Sequence, residues 1–364
     1  MIAGRIGKIA GKLGIAACST VLSLLIAEAV LRGVFLATYS GSLRDLKASP
    51  PNVGAQITTG DMLKLHPDPG IVFGLWPNID VYFNGTVAVP LPLSRITTNS
   101  LGWRGPEFPP ITKPTDQCRI VAVGDSFLWG WGVEESERYT TLLEVHLNEV
   151  APQCRWRILT FAVPGYNTVQ EANVFRRYGA AYSPDIVIYH YVGNDHCLPN
   201  FLYPPPDLYS TQSFILRYLD RLLARSELPD DRLRLTARNK AGKLYFQMCK
   251  NDDFPPEYRH FGGQENQKRA LEMLANDSAA IHAPLVITSH HGIDPEWCKI
   301  PNVHCISLMP QFNNWLASAG FASFGESPLV HNVKDTHYSA QGHRLYFELF
   351  AQRLMTELQL HEKR

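Results

Sequence analysis

RIVAVGDSFLWGWG, residues 119–132, decides how the chain is read. Ile120-Val121-Ala122-Val123 is short, apolar and branched, the pattern of a strand buried on both faces. Gly124 allows a sharp turn, and Asp125 and Ser126 follow where that strand ends. A helix-competent stretch, Glu134–Glu149, comes next. In an open α/β sheet the crevice beyond the carboxyl ends of the strands is where ligands bind. A serine hydroxyl there is well placed for a nucleophile. Its other reading is a helix cap.

Outward from this stretch the chain alternates in the βαβ manner. Strands are expected at Arg157–Ala162, Asp185–Tyr191, Leu285–Thr288 and Val303–Ser307. Helices are expected at Thr168–Ala181, Gln264–Ala280, Gln311–Ala319 and Ala340–Leu358, the last capped by Ser339. The second strand runs into Gly165 and the third into Gly193-Asn194-Asp195. Asp335-Thr336-His337 stands before the final helix. An excursion, His196–Gly263, interrupts the alternation and reads as a lid, a specificity element or a disordered segment.

Composition removes several alternatives. Among 364 residues, 45% are hydrophobic and 19% charged, as in a folded protein. Lys plus Arg and Asp plus Glu both total 34, leaving no basic excess for nucleic acid. Phosphate-loop, dinucleotide and zinc spacings are missing, so no cofactor or metal is expected. His290-His291 with Asp294 lacks an established ligand spacing. Leu128 occupies the place of the second glycine in G-x-S-x-G, which argues against that nucleophile elbow. Trp103, Trp129 and Trp131 could stack on sugar rings, although buried core is the commoner fate of such residues. Arg104 could reach a ligand or pair within its own scaffold.

The amino-terminal residues follow a different pattern. Arg5, Lys8 and Lys12 precede the uncharged Leu13–Ala27. Glu28 and Arg32 then stand one helical turn apart, able to pair, before Gly33–Ala37. A secretory signal with a cleavage site at Ala27-Glu28-Ala29 is one reading. An uncleaved membrane helix from Ile9 to about Tyr39 is the other, favoured because apolar character resumes after Arg32. Both put the bulk of the chain outside the cytoplasm, on the periplasmic or extracellular face. Six of the seven cysteines then lie where disulfides are permitted. Cys118 with Cys154 is one candidate pair, and Cys298 with Cys305 another.

The blocks Gly124-Asp125-Ser126 with Gly130, Gly165, Gly193-Asn194-Asp195 and Asp335-Thr336-His337 resemble those of the SGNH (GDSL-type) hydrolases. The resemblance covers residues 119–364, with Phe127 where many members carry leucine. It implies a three-layer αβα sandwich with a central, mostly parallel sheet (the flavodoxin-like SGNH fold), preceded by a membrane helix and a short irregular or β lead-in. Expected boundaries are 1–39 for the anchor, 40–117 for linker and lead-in, and 118–364 for the hydrolase domain, with 196–263 inserted.

The resemblance also implies roles. Ser126 would be the nucleophile, His337 the base and Asp335 its orienting carboxylate. The Ser126 and Gly165 N–H groups and the Asn194 amide would form the oxyanion hole. Asp335 and His337 are two apart, so in extended chain their side chains leave one face. The implied activity is a serine ester hydrolase working through a covalent acyl-enzyme, on a small-molecule, lipid or acetylated-glycan ester. The alternatives are an O-acyltransferase on envelope polysaccharide using the same triad, and a non-catalytic glycan-binding envelope protein.

Overall fold

The computed structural model describes residues 2–38, 46, 48–85, 90–199, 213–216, 219, 249, 258–333 and 335–359. Most of the His196–Gly263 excursion, including Pro204-Pro205-Pro206, lies outside the described residues. Residues 1–40 with 204–246 form one compact unit, and 41–203 with 247–364 form another.

In the first unit, helix α1 (Ile2–Thr38) contains Gly14–Val34, a 21-residue stretch long and apolar enough to cross a membrane. Its large apolar side chains, Leu22, Leu25 and Ile26 among them, are exposed.

The second unit opens with the lead-in: strand β1 (Gln56–Ile57), the short helix α2 (Thr59–Met62), then β2 (Leu63–Leu65), β3 (Phe73–Leu75), β4 (Asp80–Gly85) and β5 (Pro90–Thr97). These strands make a three-stranded sheet, β1-β4-β5, and a two-stranded one, β2-β3. The lead-in thus takes the β form of its two expected descriptions. It is fixed to the rest of its unit by Arg104, which is buried and donates to the carbonyls of Trp129 (3.1 Å), Gly130 (2.5 Å) and Val133 (2.5 Å). Of its two readings, Arg104 takes the scaffold one.

The main body then runs β6 (Gln117–Gly124), α3 (Ser126–Trp129), α4 (Tyr139–Val150), β7 (Arg155–Ala162), α5 (Thr168–Val174) and β8 (Ile186–His190). It continues with α6 (Gln264–Ala280), β9 (Leu285–Ser289), β10 (Val303–Ser307), α7 (Met309–Ala319), the hairpin β11 (Val330–Asn332) and β12 (Asp335–Tyr338), and α8 (Ala340–Glu357). The central sheet has five strands in the order β7-β6-β8-β9-β10, every pairing parallel. It is wholly rather than mostly parallel, because the antiparallel strands are confined to the lead-in and to β11–β12. Ile120, Val121, Ala122 and Val123 are fully buried, as a strand covered by helices on both faces requires.

The flavodoxin-like SGNH fold is corrected to the general architecture, a three-layer α/β sandwich around a five-stranded parallel sheet. Right-handed crossovers bring many unrelated families to such sheets, so the architecture carries no family name by itself.

Disulfides join Cys118 to Cys154, Cys298 to Cys305 and Cys197 to Cys249. The first staples β6 to the start of β7, in a register that puts Cys118 opposite Trp156. The Cys197–Cys249 bridge escaped sequence reading, since its two cysteines stand within the excursion rather than beside a pair of strands.

The hairpin β11–β12 is seated against the start of α8, where Ser339 caps the helix by accepting from Gly342 N–H (3.2 Å). A side chain at Gly342 would put its Cβ 2.0 Å from the Leu329 carbonyl oxygen. Overpacking of this kind costs about 1–3 kcal/mol. Gly342→Ala should therefore lower the unfolding free energy by that amount, read as a lower denaturant midpoint at unchanged slope, and an unshifted midpoint would refute the close approach.

Candidate active site

Parallel pairing sets the ends of β6, β7 and β8 level. Gly124 stands opposite Ala162, and Val123 opposite Tyr189. The residues that follow each strand, Asp125-Ser126, Gly165 and Gly193-Asn194, therefore emerge at one edge of the sheet.

Ser126 does not cap its helix. Asp125 does so, its Oδ1 accepting from Phe127 N–H at 2.9 Å. The serine is instead the first residue of α3, and its Oγ lies 2.8 Å from His337 Nε2. His337 Nδ1 lies 2.6 Å from Asp335 Oδ1, which also accepts from the His337 backbone N–H at 3.0 Å. Asp335 and His337 sit on β12, in the extended chain that sends both side chains to one face. A hydroxyl, an imidazole and a carboxylate are thus joined in series across more than 200 residues of chain.

Burial acts to raise the Asp335 carboxyl. The neighbouring His337 ring, its two N–H donors and the Trp131 indole outweigh that and hold it down at about 2. Asp335 is accordingly a carboxylate at every ordinary pH. Asp125 goes the other way: burial pushes it up to about 6, against the pull of the Phe127 N–H, the His337 ring and Ser126. Its Oδ2 is 3.4 Å from Ser126 Oγ, a long contact beside the 2.8 Å one to His337.

Gly165 has φ of +86°, a conformation strained for any side chain. The two loops beyond β7 and β8 are tied together. Asp195 Oδ2 accepts from Val192 N–H (2.8 Å) and Tyr189 Oη–H (3.1 Å), while the Asp195 carbonyl accepts from Thr168 N–H (3.2 Å). The Asn167 amide donates to the Cys197 carbonyl at 2.9 Å. Asn194, half-buried, is thereby held in a turn pinned on both sides.

Trp131 makes a contact with the triad that neither of its sequence readings included. Its Nε1–H donates to Asp335 Oδ2 at 2.9 Å, and its ring stacks on His337 with centroids 5.1 Å apart. Phe127 covers another side of the same imidazole, 4.7 Å between centroids. A tryptophan three residues beyond a strand-end Ser-Phe-Leu could have been suspected of facing the site, but pattern alone gave it no partner. Trp103 and Trp129 are core, and Trp103 packs edge-on against Phe161.

His290 is buried with its Nδ1 against the Tyr338 hydroxyl, and burial lowers its basicity well below the usual range, whereas His291 and Asp294 are exposed. Among the described residues, His196, Cys197 and Cys249 lie close enough to share an ion, but the two sulfurs are joined in the disulfide.

No protein-family model and no curated protein sequence matches the chain. Solved structures resemble it faintly. A psychrotrophic esterase, EstA from Pseudoalteromonas sp., is 14% identical over 66% of this chain and 98% of its own, at a TM-score of 0.39. The acetyl xylan esterase AlAXEase is 9% identical over 65% and 99%, at 0.40. LAE5, an alpha/beta hydrolase enzyme from the metagenome of Lake Arreo, Spain, is 12% identical over 68% and 96%, at 0.39. Likenesses this slight carry no residue roles.

The SGNH (GDSL-type) membership implied by the sequence blocks is corrected accordingly. No family model matches, and the structural likenesses are too slight to carry a family. The site defines the class. The protein is a serine hydrolase acting on ester bonds through a Ser-His-Asp arrangement.

Proposed function

We propose that the protein is an exported, membrane-anchored esterase in which Ser126 is the nucleophile, His337 the general base and Asp335 the group that orients it. The observation that carries this reading is the chain Ser126 Oγ–His337 Nε2–Asp335, at 2.8 and 2.6 Å. Ser126 Oγ bonds to the ester carbonyl carbon while its proton passes to His337 Nε2. The C–O bond to the alcohol then breaks, and His337 returns the proton to the departing oxygen. Water repeats the sequence on the acyl-enzyme, releasing the acid and free Ser126.

The oxyanion is held by the N–H groups of Ser126 and Gly165 and by the Asn194 amide. Loss of one such donor typically costs about 10²–10³ in kcat. Asn194→Ala should fall in that range with KM nearly unchanged, and a rate within threefold of wild type would remove Asn194 from the hole. In this reading residues 118–364 carry the chemistry, 40–117 form the lead-in and 1–39 the anchor. Substrates are small-molecule, lipid or acetylated-glycan esters. A screen of p-nitrophenyl esters of rising chain length beside acetylated glycans, with Ser126→Ala as control, tests the activity and selects among them. Acyl transfer to an added sugar at the expense of free acid would indicate the transferase instead.

A further inference from the structure

The N-terminal helix carries an acid and a base inside its apolar span. Glu28 lies six residues before the end of the Gly14–Val34 stretch, about 9 Å along the axis. Ionisable groups at such depth are costly and are found paired or in functional contacts. Arg32 supplies one partner, its Nε and Nη2 lying 2.9 and 2.8 Å from Glu28 Oε1.

The other partners come from the excursion, within the same compact unit. Glu28 Oε1 accepts from Phe214 N–H at 2.7 Å. Glu28 Oε2 accepts from Ser213 Oγ–H at 2.9 Å and from Ile215 N–H at 3.0 Å. The Arg32 guanidinium sits 4.6 Å over the ring of Phe214, which is itself buried. Beyond this contact the segment turns apolar side chains outward, Leu216 at 62% and Leu219 at 41% exposed, beside a helix whose own leucines are exposed.

We propose that Glu28 and Arg32 form a docking clamp that seats Ser213–Ile215 against the membrane helix, placing Leu216 and Leu219 in contact with lipid acyl chains. The chemistry is reciprocal. In hydrocarbon the Phe214 and Ile215 N–H groups need acceptors, and the Glu28 carboxylate needs donors. The clamp meets both needs, and it does so only while the helix remains attached. It rests on the anchored form of the proposed function, and it makes the helix a structural member rather than a removable leader.

The test uses the full chain in phosphatidylcholine vesicles, with Cys18→Ser removing the free thiol and a fluorescent maleimide on Leu216→Cys. Quenching by spin-labelled acyl chains should exceed quenching by aqueous iodide. Adding Glu28→Leu, which removes the acceptor of three hydrogen bonds, should shift the docked population at least about ten-fold towards iodide-accessible probe. Hydrolysis of a soluble short ester at the parent's rate shows that the variant is folded. A full-length protein whose probe is quenched only from water, or whose quenching ignores Glu28→Leu, overturns the clamp and leaves the anchor standing. An intact mass starting beyond Glu28 overturns both.

Discussion

Ser126→Ala is expected to lower kcat by about a million-fold while leaving KM and the unfolding midpoint close to wild type. The side chain is small and stands at the edge of the sheet, so its loss opens little space. What disappears is the hydroxyl that the imidazole of His337 touches, at 2.8 Å. The residual rate, about 10³–10⁴ above uncatalysed hydrolysis, would come from substrate binding and the oxyanion donors. His337→Ala should fall to the same floor, and the double variant should be no worse than either, because nucleophile and base act as one unit. A fluorophosphonate should add one phosphonyl group to the wild type, on Ser126, and none to Ser126→Ala. Equal labelling of the two proteins would place the nucleophile elsewhere. Unimpaired glycan binding by an unlabelled wild type would favour the non-catalytic alternative.

The alternation of strands and helices was legible because both periodicities are strong in this chain. Ile120–Val123 has no polar residue to confuse a buried strand, and Ser126, Gly165 and Asn194 follow strands whose ends parallel pairing sets level. The pairing of Asp335 with His337 was implied by the resemblance, and their spacing of two in extended chain agrees with it. What sequence could not supply was contact across long separations. Trp131 meets Asp335 across 204 residues, its indole holding the carboxylate oxygen that does not face His337. Asp195 reads as a motif member, yet its carboxylate acts inward, closing the turn after β8 through Val192 N–H. The family name was the overreach. Four short blocks specify a constellation of groups, which the structure brings together for the triad, but they do not fix a lineage.

Asp335→Asn is expected to cost about 10⁴ in kcat with stability nearly preserved. The carboxylate performs two tasks that an amide cannot combine. Its Oδ1 accepts from the His337 backbone and faces Nδ1, and its Oδ2 accepts from the Trp131 indole N–H. An asparagine with its oxygen towards His337 turns its NH₂ group on the indole N–H, donor against donor. Flipped, it satisfies the indole but donates to His337 Nδ1, leaving the ring proton on Nε2, where it faces Ser126 and blocks proton acceptance. The first arrangement keeps the productive tautomer but loses the indole hydrogen bond and the negative charge that steadies the imidazolium, and the second removes the tautomer itself.

The low acidity range of Asp335 sets the sign of the pH response. A carboxyl held down at about 2 supports the imidazole fully above the ordinary carboxylate range and loses that support only as pH falls towards 2. An acid limb of activity near neutrality therefore does not report Asp335. Trp131→Phe separates the carboxylate's charge from its orientation. It keeps the aromatic stacking and deletes one hydrogen bond of about 1 kcal/mol, so kcat should drop only about five- to ten-fold. Full activity in Asp335→Asn would shift the supporting role to Asp125, whose Oδ2 lies 3.4 Å from Ser126 Oγ. Comparison of kcat for Asp335→Asn and Asp125→Asn on one soluble ester decides between the two carboxyl groups.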